Sequence, residues 1–164
     1  MSQLLIKQKV FSWTDTYDVY DEYGNAKYFV KADFFSIGHR IRVYDKASGE
    51  ELGLIQEKVL RILKEFEISI NGYSHGIIKK QLSFFHPKYN IDYKGWRLEG
   101  DFMGWNYSVY EGSRLVVNMT KKLFTWGDTY VLDVTDDADE LPALMVAIAM
   151  DAAMCSDNNT AYNS

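Results

Sequence analysis

The sequence predicts a mainly β protein: a closed barrel of antiparallel strands around one apolar helix. Three observations carry that expectation. Apolar and polar residues alternate with period two through most of the chain. Glycine-containing turns recur between the alternating runs. Near the C-terminus stands a segment with no polar face.

The alternating runs come first. Arg40-Ile41-Arg42-Val43-Tyr44 sets charges against β-branched residues, and Phe66-Glu67-Ile68-Ser69-Ile70 does the same. In Trp96-Arg97-Leu98-Glu99-Gly100-Asp101-Phe102 all charges share one parity, and Tyr130, Leu132 and Val134 share another. Successive strand side chains point to opposite faces, so each run has one dry and one wet face, as antiparallel sheets do. The segment 54–66 is ambiguous, because Ile55, Val59, Ile62, Leu63 and Phe66 also fit a helical spacing. Its flanking strands and Gly53 favour a strand.

The turns Tyr20–Asn25, Tyr44–Glu50 and Tyr110–Ser113 share a pattern, an aromatic-acid pair followed by a glycine able to take positive φ. That recurrence predicts a meander of hairpins. A second repeat pairs Phe11-Ser12-Trp13-Thr14-Asp15-Thr16-Tyr17 with Phe124-Thr125-Trp126-Gly127-Asp128-Thr129-Tyr130. Two equivalent strand corners explain it better than a duplicated ligand pocket, because repeated units solve the same packing problem.

The helix begins after Asp136-Asp137-Ala138-Asp139-Glu140-Leu141-Pro142, where carboxylates cap free N–H groups and face the positive end of the dipole, and proline fits the first turn. Residues 143–150 are apolar all round, which predicts enclosure. Residues 1–156 form the expected single domain, and 157–164 a frayed polar tail.

Composition narrows the function classes. The chain has 164 residues, 47% of them hydrophobic, and a formal net charge of −5. One domain of this size buries a substantial core. The acidic balance argues against nucleic-acid binding. A lone cysteine, Cys155, cannot form an internal disulfide, and with no Cys-X-X-Cys partner it reads as a structural thiol. Without a signal-peptide pattern or a spanning segment, a cytoplasmic monomer is expected.

Chemistry-bearing residues are few. His39, His75 and His86 lie far apart and read as surface or loop histidines. Nucleophile-elbow and phosphate-loop motifs are absent, so neither catalytic residues nor a cofactor is expected. Asp133, Asp136, Asp137, Asp139 and Glu140 hold enough oxygens for Ca²⁺, but their spacing departs from an EF-hand loop and capping explains most of them, so no metal site is expected. Asp151, in an otherwise apolar helix, must either emerge from the barrel or accept hydrogen bonds from its wall.

The strings Tyr17-Asp18-Val19-Tyr20-Asp21, Tyr28-Phe29-Val30-Lys31-Ala32, Ile37-Gly38-His39-Arg40-Ile41-Arg42-Val43-Tyr44-Asp45, Gly49-Glu50-Glu51-Leu52-Gly53 and Tyr130-Val131-Leu132-Asp133-Val134, followed by the apolar helix, resemble the LURP-one-related family through nearly the whole chain. The resemblance implies a tubby-like fold, a barrel of about twelve strands threaded by its C-terminal helix, the architecture also attributed to phospholipid scramblases. Tubby domains bind phosphoinositide head groups, and that analogy suggests a peripheral module at the cytoplasmic membrane face. Candidate lipid-binding cations are Lys79, Lys80, Lys121, Lys122, Arg40 and Arg42, with Lys7 and Lys9 beside them. The alternative expectation is a protein-interaction module using Trp13, Trp105 or Trp126.

Overall fold

The computed structural model describes residues 1–7, 16–33, 38–81, 88–101, 104–124 and 127–161, with backbone alone for 123–124, 127–128 and 155–161. Twelve strands form one sheet: β1 (Ser2–Lys7), β2 (Thr16–Asp21), β3 (Ala26–Asp33), β4 (Arg40–Asp45), β5 (Glu51–Glu57), β6 (Glu65–Ile70), β7 (Tyr73–Gln81), β8 (Lys88–Asp92), β9 (Trp96–Asp101), β10 (Asn106–Glu111), β11 (Arg114–Phe124) and β12 (Gly127–Val134). A 3₁₀ turn, Asp137–Asp139, leads into helix α1 (Glu140–Ala161).

The sheet order is β8-β7-β6-β5-β4-β3-β2-β1-β12-β11-β10-β9, and all paired neighbours are antiparallel. Its extremes, β8 and β9, are consecutive in the chain and pack together, so the sheet curls into a nearly closed barrel. Among the described residues no ladder register joins those two strands. A tight turn closes that seam, with Trp96 N–H donating to the Tyr93 carbonyl at 2.8 Å and the Tyr93 and Trp96 rings edge to face at 4.7 Å.

The helix threads the interior, touching β5, β6 and β7 on one side and β11 and β12 on the other. Every residue from Ala143 to Met154 is buried. The wall answers with alternate residues of most strands, including Leu4, Val30, Val43, Ile55, Ile68, Val109, Met119 and Leu132. At Gly53 the wall comes so close that a Cβ would lie 2.5 Å from the Met145 methyl, which explains the glycine inside β5.

The predicted hairpins all form, and their shared pattern has a physical cause. The register shifts beside the first aromatic in each, at Val19/Tyr20, Val43/Tyr44 and Val109/Tyr110. In the first two turns the acid then accepts backbone N–H groups: Asp21 from Tyr23 (3.0 Å) and Asn25 (2.8 Å), Asp45 from Ala47 (3.1 Å) and Ser48 (2.7 Å). Gly24, Gly49 and Gly112 supply φ of +86°, +74° and +58°.

Two expectations change. Segment 54–66 is strand only to Glu57 and again from Glu65, and residues 58–64 form an exposed connection. The apparent helical spacing joined Ile55 and Phe66, which are buried on two different strands, to loop residues between them. The helix also runs on to Ala161, where a frayed tail was expected from residue 157, because neither glycine nor proline interrupts it.

Of the Phe11–Tyr17 and Phe124–Tyr130 repeat, Tyr17 and Tyr130 fall on β2 and β12, which flank β1. Residues 8–15 and 125–126 lie outside the described residues.

Candidate functional site

Strand parity gives the barrel two different ends. Since α1 follows β12, the helix enters at the end holding the turns 22–25, 46–50, 71–72, 93–95 and 112–113. It runs towards the opposite end, where β1, β3, β5, β7, β9 and β11 finish.

At the entry end the carboxylates are partnered one by one. Asp136 accepts from Ala138 N–H at 3.0 Å, capping the 3₁₀ turn, and Asp137 lies 2.9 Å from the N-terminal ammonium. Asp139 holds Arg114 at 2.7 Å and Lys94 at 3.8 Å. Glu140 takes Lys27 Nζ at 2.7 Å and the Tyr28 hydroxyl at 2.6 Å, while Gln3 donates to Asp133 at 2.6 Å. Burial would raise the Glu140 carboxyl, but the hydrogen bonds from Lys27 and Tyr28 outweigh it and hold it below the usual carboxylate range. This segment therefore acts as a clasp between the helix start and the wall, and it leaves few free oxygens for a cation.

The exit end is cationic. Lys7, Lys31, Arg40, Arg42, Lys58, Arg61, Lys64, Lys79, Lys80, Lys88, Lys121 and Lys122 lie on strand halves or connections at that end, whereas only Lys27, Lys46, Lys94, Arg97 and Arg114 lie towards the entry end. All six cations picked out by sequence, and Lys7, thus gather at one end. Lys9 lies outside the described residues. The acids on the same halves are fewer: Asp18, Asp33, Glu57, Glu65, Glu67, Glu99, Asp101, Asp128 and, on the last turns of the helix, Asp157. Arg42 sits 3.4 Å from Glu51 and 4.0 Å from Asp33, and Lys79 lies 3.9 Å from Glu65.

Register places Lys7 and Lys122 on either side of Thr129, and Lys121 opposite Tyr130. The Lys121 ammonium stands 5.8 Å from the Tyr130 ring centroid, and Trp105 meets that ring edge-on at 4.8 Å. Trp105 is half-buried against the core, which makes it a poor exposed hook for a protein partner. Trp13 and Trp126 lie outside the described residues.

His39 lies in the connection just before β4, as a loop histidine, and it has a partner. Its Nδ1 pairs with the buried Glu57, which also takes Lys64. Burial acts to raise the Glu57 carboxyl, and hydrogen bonds from Lys64 and His39 more than reverse that. The three residues tie the start of β4 to the end of β5. The partners are 18 residues apart in sequence, and only pairing of β4 with β5 brings them together. His75 is exposed, with its ring 6.3 Å from Tyr93, and His86 lies outside the described residues.

Asp151 does not emerge; it is 1% exposed. The Tyr17 and Tyr107 phenols are pushed far above their ordinary range by burial first and by the Asp151 charge second. Cys155 continues the helix, and its side chain lies outside the description.

On the outer face two shallow grooves share Phe29 and Lys46. One, of about 420 Å³, adds Lys31, Tyr44 and Asp45, and the other, of about 340 Å³, adds Lys7, Asp18 and Tyr20. Lys46 is already held by Asp18 at 2.8 Å, so these grooves favour an anion less than the exit end does. Among the described residues no cluster of three His, Cys, Asp or Glu could hold a metal ion, and no helix is long and apolar enough to cross a membrane.

Three comparisons bear on what kind of protein carries this arrangement. A family model described as LURP-one-related matches residues 2–151. The uncharacterised protein YxjI of Bacillus subtilis is 31% identical over 159 residues, covering 97% of this chain and 98% of that one. A crystal structure of an Arabidopsis thaliana protein superposes with a TM-score of 0.62 at 18% identity, over 92% of this chain and 90% of that one, a likeness of fold.

Proposed function

We propose that this chain, which belongs to the LURP-one-related family, is a non-enzymatic binding module that sets its helix-exit end on an anionic phospholipid surface. The observation behind this reading is the segregation of charge along the barrel axis. A net charge of −5 would repel an anionic membrane if it were spread evenly. It is not. Strands of six to eight residues rise about 20–26 Å at about 3.3 Å per residue. Barrel strands tilt by about 35–45°, so they span about 14–21 Å of the axis, and the acidic end lies about two Debye lengths from a surface touching the cationic end, since that length is about 8 Å at physiological salt. The lipid then senses mainly the near lysines and arginines, each worth about 1 kcal/mol beside a charged leaflet.

In this reading Lys79, Lys80, Lys121, Lys122, Arg40 and Arg42 contact head-group phosphates, and the protein works at the cytoplasmic membrane face as a monomer. The scramblase and tubby folds belong to the same proposal as analogies. The His39–Glu57–Lys64 cluster acts as a brace within it, because the carboxylate is taken by a lysine from one side and the imidazole from the other.

Co-sedimentation with phosphatidylcholine vesicles, with and without phosphatidylserine, tests the proposal. Binding is expected only to the anionic vesicles and should weaken steeply as salt rises. No binding at low salt would overturn it.

A further inference from the structure

The connection between β5 and β6 departs from the usual rule for surface loops. In residues 58–64, Leu60 and Ile62 are fully exposed, at 101% and 102%, and Val59 is 48% exposed. Among the described residues, the remaining large exposed hydrophobics are the terminal Met1 and the hydroxyl-bearing Tyr23 and Tyr73. A single exposed aliphatic is ordinary, but three within four residues on one tip are not.

The backbone holds them outward. Leu60 has φ +63°, a left-handed conformation unfavourable for a γ-branched residue, so the local chain accepts strain while its side chain stays in water. The base of the loop is fixed. Glu57 accepts from the His39 backbone side and pairs with Lys64, and Lys58 N–H donates to the Glu65 carbonyl at 2.9 Å. Gly38 packs so tightly there that a Cβ would stand 2.8 Å from the Glu57 carbonyl oxygen and 3.1 Å from Val59.

Charge identifies the occupant. Residues 58–64 carry Lys58, Arg61 and Lys64 and no acid. Their partners, Glu67, Glu65 and Glu57, belong to the strands behind the tip. Greasy residues interleaved with cations suit the boundary between head groups and acyl chains. There the aliphatic tips enter the hydrocarbon, while long cationic side chains reach back to phosphate. The same loop on a second copy would bring cations against cations.

We infer that the β5–β6 loop is a membrane wedge, with Leu60 and Ile62 inserting among the lipids while Lys58 and Arg61 meet the head groups. The inference rests on the proposed docking of the helix-exit end and adds its insertion element.

The test compares wild type with Leu60→Ser/Ile62→Ser on phosphatidylcholine vesicles containing phosphatidylserine. An environment-sensitive fluorophore on Ile62→Cys, in a Cys155→Ser background, reads insertion. Because both side chains are fully exposed, the double serine variant should melt like wild type. The wedge predicts a fall of at least about tenfold in its partition coefficient, an unchanged salt dependence, and a blue shift of the fluorophore on adding vesicles. Equal, salt-sensitive binding of wild type and variant would overturn the wedge and leave the docking proposal standing. No binding by either protein at low salt would overturn both. A wild-type dimer lost in the double variant, with vesicle binding unaltered, would overturn the wedge in favour of self-association.

Discussion

Glu140 is the residue at which helix, wall and charge meet. It is 4% exposed, yet its carboxylate is satisfied by Lys27 and by the Tyr28 hydroxyl. Tyr28→Phe removes one donor from a buried acceptor while leaving the ion pair, and should cost about 1–2 kcal/mol in urea denaturation. Glu57 and Glu140 both have folded-state values held below those of a free carboxylate. Their contribution is therefore fully present above the unfolded value, about 4.3, and is lost as pH falls through the lower folded values. Glu57→Gln/Glu140→Gln should be less stable than wild type at neutral pH and lose less on acidification, as read from urea midpoints across that range. Sequence identified Glu140 as part of a helix-start signal, because capping is local. Its pairing with Lys27 and Tyr28 joins residues 112 or more positions apart and left no local trace. The same reason hid the His39–Glu57 contact, while Asp151 stood out because a charge in an apolar run is visible without a structure.

Helix α1 shows what element-level reading does well. Its apolar surface on every side required enclosure, and the wall supplies it from β5, β6, β7, β11 and β12. Ile148 is 1% exposed, in the middle of the buried stretch of the rod. Ile148→Ala should cost about 2–5 kcal/mol, measured by chemical denaturation, as large-to-small changes in closed cores do. The hairpins were legible for a similar reason, since the aromatic, the acid and the glycine mark a bulge, in two turns a capping carboxylate, and a positive φ within a few residues of one another. The segment 54–66 was not, because periodicity assumes that apolar residues are buried. Val59, Leu60 and Ile62 break that assumption, and a pattern argument cannot distinguish an aliphatic residue in the core from one left in water.

Across the whole molecule the informative quantity is where charge sits, not how much there is. Adjacent lysines such as Lys79 and Lys80 point to opposite faces of a strand, which by itself argues against a single patch. That objection holds for the flank of a barrel and fails at its rim, where inward and outward rows both reach the same opening. Which rim a residue joins depends on strand parity across twelve antiparallel segments, and that count emerges only from the complete sheet. Lys121→Glu/Lys122→Glu places two carboxylates beside Thr129 and Tyr130 and should reduce binding to phosphatidylserine-containing vesicles at least about tenfold at low salt, with a shallower salt dependence. Reversal of Lys46, the entry-end lysine that clasps no carboxylate of the helix start, should leave binding unchanged.

The rod that fills this barrel is made after all twelve strands of its wall. Until that helix emerges from the ribosome, the strands expose an inner lining of Leu, Ile, Val and Met that it does not yet cover, so productive folding waits for the helix to be made. The unlaced junction of β8 and β9 offers a place where the staves can part to admit the late-arriving plug. A chain stopped after Asp136 should accumulate as aggregate, and co-expressing residues 137–164 as a separate peptide should restore soluble material.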